Sequence, residues 1–149
     1  MAANGQQRAK TMQTLVDLAQ IELDNAAKSL AMFQAQLEQA KQQLASLMQY
    51  SAEYSTDLIA THRPLSPIQL QSRAAFGGRV QQAVAAQTTR VTEVEKMVEM
   101  ANQQWLERRT RVKALQALLT KLKQGIQVQM NKREQQFMDE LATQASLRK

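Results

Sequence analysis

The sequence has no cysteine, a single histidine (His62), four glycines, two prolines, and aromatic side chains at only 4% of its 149 positions. Each shortage removes a class of protein. Without cysteine there is no disulfide framework and no thiolate metal site, and with one histidine the Cys-His, Ser-His and His-rich constellations have no members to form from. Such usage fits a reducing compartment. Few aromatics in a chain that is 44% hydrophobic is not how a globular core is usually built, and few glycines and prolines leave little punctuation for turns. Long helices are what this composition allows. No stretch approaches the roughly 18–20 apolar residues of a membrane span, and "MAANGQQRAKTMQTL" holds no apolar run of signal-peptide length, so the expectation is a soluble, cytoplasmic chain. Gly77-Gly78 is followed by Arg79 rather than by Lys-Ser or Lys-Thr, so no phosphate-cradling loop is present. No catalytic site, cofactor or metal is expected.

One pattern organises what is there. Met12, Val16, Ala19, Leu23, Ala26, Leu30, Phe33, Leu37, Ala40, Leu44, Leu47, Ser51, Tyr54 and Leu58 follow one another in steps of three and four, a heptad seam with Gln, Lys, Glu, Asp and Ser between its members. The apolar stripe is narrow, and alanines at Ala19, Ala26 and Ala40 let a partner helix approach closely while burying less area than leucine. "IATHRPLSPIQL" follows, with both prolines. Arg63 and Ser66 precede proline and are pushed out of the helical region, His62 reads as a solvated loop residue, and Ser66-Pro67 is an N-cap followed by Pro at the first helical position. A second seam then runs through Val80, Val84, Gln87, Val91, Val94, Val98, Ala101, Trp105, Arg108, Val112, Leu115, Leu119, Leu122 and Ile126. The spacing predicts an all-α fold, a single coiled-coil domain over 1–149. Helix 1 spans about 5–59, a loop 60–66 and helix 2 about 67–146, paired as an antiparallel coiled-coil hairpin.

The arms differ in length, roughly 80 Å against 120 Å at 1.5 Å per residue. If Leu58 pairs near Pro67, the partner of helix 1 runs out near Lys121 and helix 2 overhangs at its C-terminal end. Past that point Gly125 interrupts helix propensity, the spacing slips into two steps of four, and Ile126, Met130, Phe137 and Leu141 continue an apolar stripe with no expected facing helix. That segment is either a frayed tail or a docking surface.

Charge is as uneven as length. Residues 1–65 carry five basic and six acidic side chains, net −1, whereas 66–149 carry net +7. From Glu107 to Arg133 eight basic residues, among them Arg108, Arg109, Arg111, Lys113, Lys121 and Lys123, face Glu107 alone. Nucleic acid would suit such a band, but nothing supplies base reading, and Trp105 sits in the seam where it packs rather than stacks on a base. An acidic protein surface is the better match, and no nucleic acid is expected.

"MQTLVDLAQIELDNAAKSL" (12–30), "AAFGGRVQQAVAAQ" (74–87), "WLERRTRVKAL" (105–115) and "FMDELATQASLRK" (137–149) resemble, in that order and with matching spacers, the FliJ family of the bacterial flagellar type III export apparatus. The glycine pair departs from the family's pattern, which carries larger residues after the Phe. The resemblance implies a non-enzymatic stalk similar to the gamma subunit of rotary ATPases. It would insert into the hexameric export ATPase FliI, touch the export gate protein FlhA and assist export chaperones, in the cytoplasm at the inner-membrane export apparatus. Phe76, Val80, Ala83 and Gln87 align with family positions that face the gate, although Val80 also fits the seam and would then pack near Leu44. The terminal end, with the basic band and with Ile126, Met130, Phe137 and Leu141, is where the ATPase ring is expected. The alternatives are a virulence type III secretion stalk, or a structural or nucleic-acid-tethering coiled coil.

Overall fold

The computed structural model describes residues 2–60 and 64–148, with side chains described over 4–56 and 64–148. The side chain of Leu58, which ends the first seam, and the loop residues His62 and Arg63 lie outside these. Apart from 64–66 and 148, every described residue is helical: α1 spans Ala2–Ala60 and α2 spans Pro67–Leu147. The two pack against each other as an all-α antiparallel hairpin. The chain divides into two compact units, a terminal one of Met1–Asn25 with Leu106–Lys149 and a loop one of Ala26–Trp105.

Helix α2 starts where its cap dictates. The Ser66 hydroxyl accepts the Gln69 amide at 3.2 Å and the Gln69 side chain returns to accept the Ser66 amide at 3.2 Å, a reciprocal capping box that satisfies two donors the first turn would otherwise leave open. Helix then runs without interruption through Gly77-Gly78 and Gly125, none of which has a positive φ. Along α1, glutamines reach acids one turn on, as in Gln13 to Asp17 at 2.9 Å and Gln20 to Asp24 at 3.0 Å, each pair adding about 0.2–0.5 kcal/mol to the helix.

The seams are the buried faces. Val16, Ala19, Ala40, Val80, Val91, Val94, Ala101, Val112 and Leu119 are buried, and the remaining described seam positions are half-buried with one exception. The exception is Arg108, which is exposed and pairs with Glu22 of α1 at 3.0 Å, both side chains nearly half in solvent. An ion pair so wetted is worth about 0–1 kcal/mol. The buried residues are nearly all valine and alanine, and Val94 alone among the described side chains is completely enclosed. Close approach of two helices with small contact area is the result.

The register differs from the expected one. Gly5 lies against Ile126 and Glu22 pairs with Arg108 in the terminal unit, so partners sit about one and a half helical turns further along α2 than a Leu58–Pro67 pairing places them. The same offset holds in the loop unit, where Tyr54 reaches Phe76 and faces Gly77. Helix α1 also begins at Ala2, ahead of the expected start near residue 5. Ile126 therefore does have a facing helix, and the overhang begins after it rather than at Lys121.

Candidate docking sites

In the loop unit, Phe76 stands on an aromatic platform contributed by α1. Its ring meets Tyr54 edge-on at 5.0 Å and 62°, and Tyr50 at 6.2 Å and 78°, geometries that ring quadrupoles favour. Tyr54 is itself fixed, because its hydroxyl donates to the Arg73 carbonyl oxygen at 3.1 Å. Phe76 nevertheless keeps 40% of its surface in solvent, and Tyr50 beside it is also exposed. The four residues expected to face a gate protein share one row of α2 but not one environment. Val80 is only 8% exposed and belongs to the seam, Ala83 is half-buried, and the Gln87 amide donates to the Ala40 carbonyl at 3.0 Å and to the Gln43 side-chain oxygen at 3.2 Å. Of the row, Phe76 is the residue that offers a large apolar surface outward, and Tyr50 joins it there. Composition alone does not reveal that Tyr50 and Tyr54 form its platform, since this depends on register.

In the terminal unit the basic residues do not form one face. Arg108, Arg109, Arg111 and Lys113 occupy successive or alternate positions, and at 3.6 residues per turn they wrap around α2. Arg108 is held by Glu22; Arg111, Lys113, Lys121 and Lys123 are exposed. The result is a positive sleeve rather than a patch. Trp105, in the loop unit, is half-buried in its seam as expected.

Beyond Ile126 the seam face of α2 continues without cover. Met130, Phe137 and Leu141 follow at steps of four, seven and four, the spacing of one helix face, and they are exposed, Phe137 to 61%. Gly5 and Gln6 of α1 line a small cleft with Ile126, Met130, Arg133 and Glu134 of α2, and Phe137 and Leu141 lie beyond these lining residues.

Comparison with known proteins decides the family. The flagellar FliJ protein family profile matches residues 8–149. The chain belongs to the flagellar FliJ family. Individual relatives agree: it is 30% identical over 145 residues to a flagellar FliJ protein of Salmonella typhi, covering 93% of this chain and 95% of the relative. A flagellar FliJ protein of Escherichia coli strain K12 is 28% identical over 143 residues, covering 91% and 93%. Against the sequence alone, which left a virulence-secretion stalk open, these relatives favour the flagellar branch. No described helix of this family member is long and apolar enough to cross a membrane, and no group of three His, Asp or Glu among the described residues is placed to hold a metal.

Proposed function

We propose that this chain is a non-catalytic coiled-coil component of the flagellar type III export apparatus, peripheral to the cytoplasmic side of the inner membrane. In this reading its terminal unit enters the ring of the export ATPase FliI. Its loop unit meets the export gate protein FlhA through Phe76 and the residues around it, and the chain assists delivery by flagellar export chaperones. The observation that carries the proposal is the seam face of α2 beyond Ile126. Met130, Phe137 and Leu141 lie exposed on that face, and each of the larger side chains gains about 1.5–3 kcal/mol when fully buried. A partner that encloses this face recovers that energy. The positive sleeve from Arg108 to Lys123 supports an acidic enclosure, steering association without specifying it.

The rivals predict otherwise. A filament-forming coiled coil needs a self-complementary exposed seam and should oligomerise strongly with concentration. A nucleic-acid tether should lose affinity steeply with salt against duplex DNA. The deciding measurement is ATP hydrolysis and hexamer formation by the cognate export ATPase with and without the purified chain. Stimulation at stoichiometric ratios is expected; an ATPase indifferent to the chain overturns the ring-binding reading.

A further inference from the structure

The terminal unit carries a second apolar surface, which extends from the seams onto residues that lie off them. On one flank of the hairpin, α1 and α2 leave an open groove of about 740 Å³. Met12, Leu122 and Ile126 of the seams line it, together with Leu15 and Leu118, which lie off the seams and keep 40% and 48% of their surfaces exposed. The glycines shape it. Gly5 and Gly125 both line the groove, and a methyl group on Gly125 would find nothing within 4 Å. Where most helical residues would project a side chain, this flank has a gap.

Two features say what fits. The α2 wall is the row Leu118, Leu122, Gly125 and Gln129, and the α1 wall is Arg8, Met12 and Leu15, each at alternating steps of four and three. Rows at that heptad spacing are the faces against which a third helix packs, and small residues shorten the distance it must keep. Charge is the other feature. The lining includes Arg8 on one wall and Lys121 on the other, and no acidic side chain. We propose that this groove seats an amphipathic helix of a partner protein, its apolar stripe between Leu15 and Leu118 and acidic residues on both flanks opposite Arg8 and Lys121. The helix adds a third strand to the two-helix core. The inference rests on the reading that the terminal unit docks partners, but it concerns a lateral groove rather than the uncovered end of α2.

A synthetic probe tests it without the ATPase, so failure of the groove and failure of ring binding are separable. The probe is a labelled peptide of about three heptads with leucine at a and d and glutamate flanking them, titrated with the full chain by fluorescence anisotropy. Two controls accompany it, the same residues in scrambled order and the same helix with lysine for glutamate. The acidic helix should bind at least tenfold more tightly than either control. Gly125→Leu, which fills the gap while improving helix propensity, and Leu118→Gln, which alters an off-seam residue, should each weaken it at least tenfold with no loss of helix content. Equal binding of the scrambled peptide reduces the effect to charge and overturns the proposal, as does indifference to both substitutions. Light scattering that shows a dimer dissolved by Leu118→Gln also overturns it, by assigning the groove to a second copy of this chain.

Discussion

Replacing the paired glycines of α2 with alanine should stabilise the protein, and by unequal amounts. Both glycines lie in uninterrupted helix without positive φ, so neither is required by backbone conformation. Alanine in a helix interior is about 0.8–1.0 kcal/mol better than glycine. At Gly78 a methyl group meets nothing within 4 Å, so that figure is the whole effect. At Gly77, which is half-buried, it meets Tyr54 Cε1 at 3.8 Å, an ordinary contact. Half of the ~0.8 kcal/mol for burying a methylene-sized group adds about 0.4 kcal/mol there. Gly77→Ala should therefore gain about 1.3 kcal/mol, Gly78→Ala about 0.9, and the pair about 2. For a chain of this size that is a rise of about 4–9 °C in Tm for the double variant, read by circular dichroism at 222 nm and checked by urea midpoint. Two results refute the reasoning. A loss of stability in Gly77→Ala means the Tyr54 ring sits closer than 3.8 Å and cannot give way. No gain in Gly78→Ala means this part of α2 is not helical in solution.

Other perturbations address the core and the docking sites. Val94→Ala, at the one completely enclosed side chain among the described residues, should cost about 1.5–2.5 kcal/mol in urea unfolding, whereas Met100→Ala on the exposed face should stay within about 0.5. Equal effects would mean the seam is not the core. Phe76→Ala should weaken FlhA binding in a pull-down or interferometry assay while helix content and ATPase stimulation persist; a large loss of helix instead assigns Phe76 to structural packing with Tyr50 and Tyr54. Reversing Arg111 and Lys123 to Glu, both exposed and neither paired to Glu22, should slow association with the export ATPase and flatten its dependence on salt, measured by stopped flow at two ionic strengths. An unchanged rate would confine these charges to keeping the chain soluble.

The heptad spacing was legible because burial in a two-helix interface is a property of each helix separately. A residue at a seam position faces the partner whichever residue the partner brings, which is why Val16, Val94 and Leu119 are buried where the spacing places them. Arg108 departs because its long side chain swings out to Glu22, a pairing that depends on what stands opposite. Everything relational is harder to read. Register is set by how much chain the fold-back consumes, and an error of one and a half turns at the loop carries through to Ile126. The same dependence hides the aromatic platform under Phe76, whose members are separated in sequence. It also hides the groove: in the sequence Gly125 reads as a weak point of a helix, and only opposite Met12, Leu15 and Gly5 does its missing side chain become a space. The gate row illustrates the cost of reading one helix alone, since its even spacing conceals that Val80 faces inward.

The corrected register sharpens the test of the uncovered end, because two truncations that the sequence alone would treat alike now differ. Cutting after Lys123 removes Ile126, whose side chain is half-buried and faces Gly5, and with it Gly125 and Gln129 from the α2 wall of the lateral groove. Full burial of such a side chain is worth about 1.5–3 kcal/mol, so losing a half-buried one should cost about 1 kcal/mol, or about 2–4 °C in Tm. Cutting after Arg133 leaves Ile126 and Met130 in place, and the described residues it removes, 134–148, are all exposed, so melting should not change. Both cuts delete Phe137 and Leu141, and both should abolish or sharply reduce stimulation of the export ATPase. Amide exchange gives an independent check, since 134–147 should exchange quickly in the free chain, where its side chains bury nothing, and slowly in the complex. A cut after Arg133 that lowers Tm as far as the cut after Lys123 would mean that the last turns of α2 pack on α1 after all. A cut after Arg133 that stimulates the ATPase in full would separate ring binding from Phe137 and Leu141, leaving the positive sleeve and the groove as the surfaces that carry it.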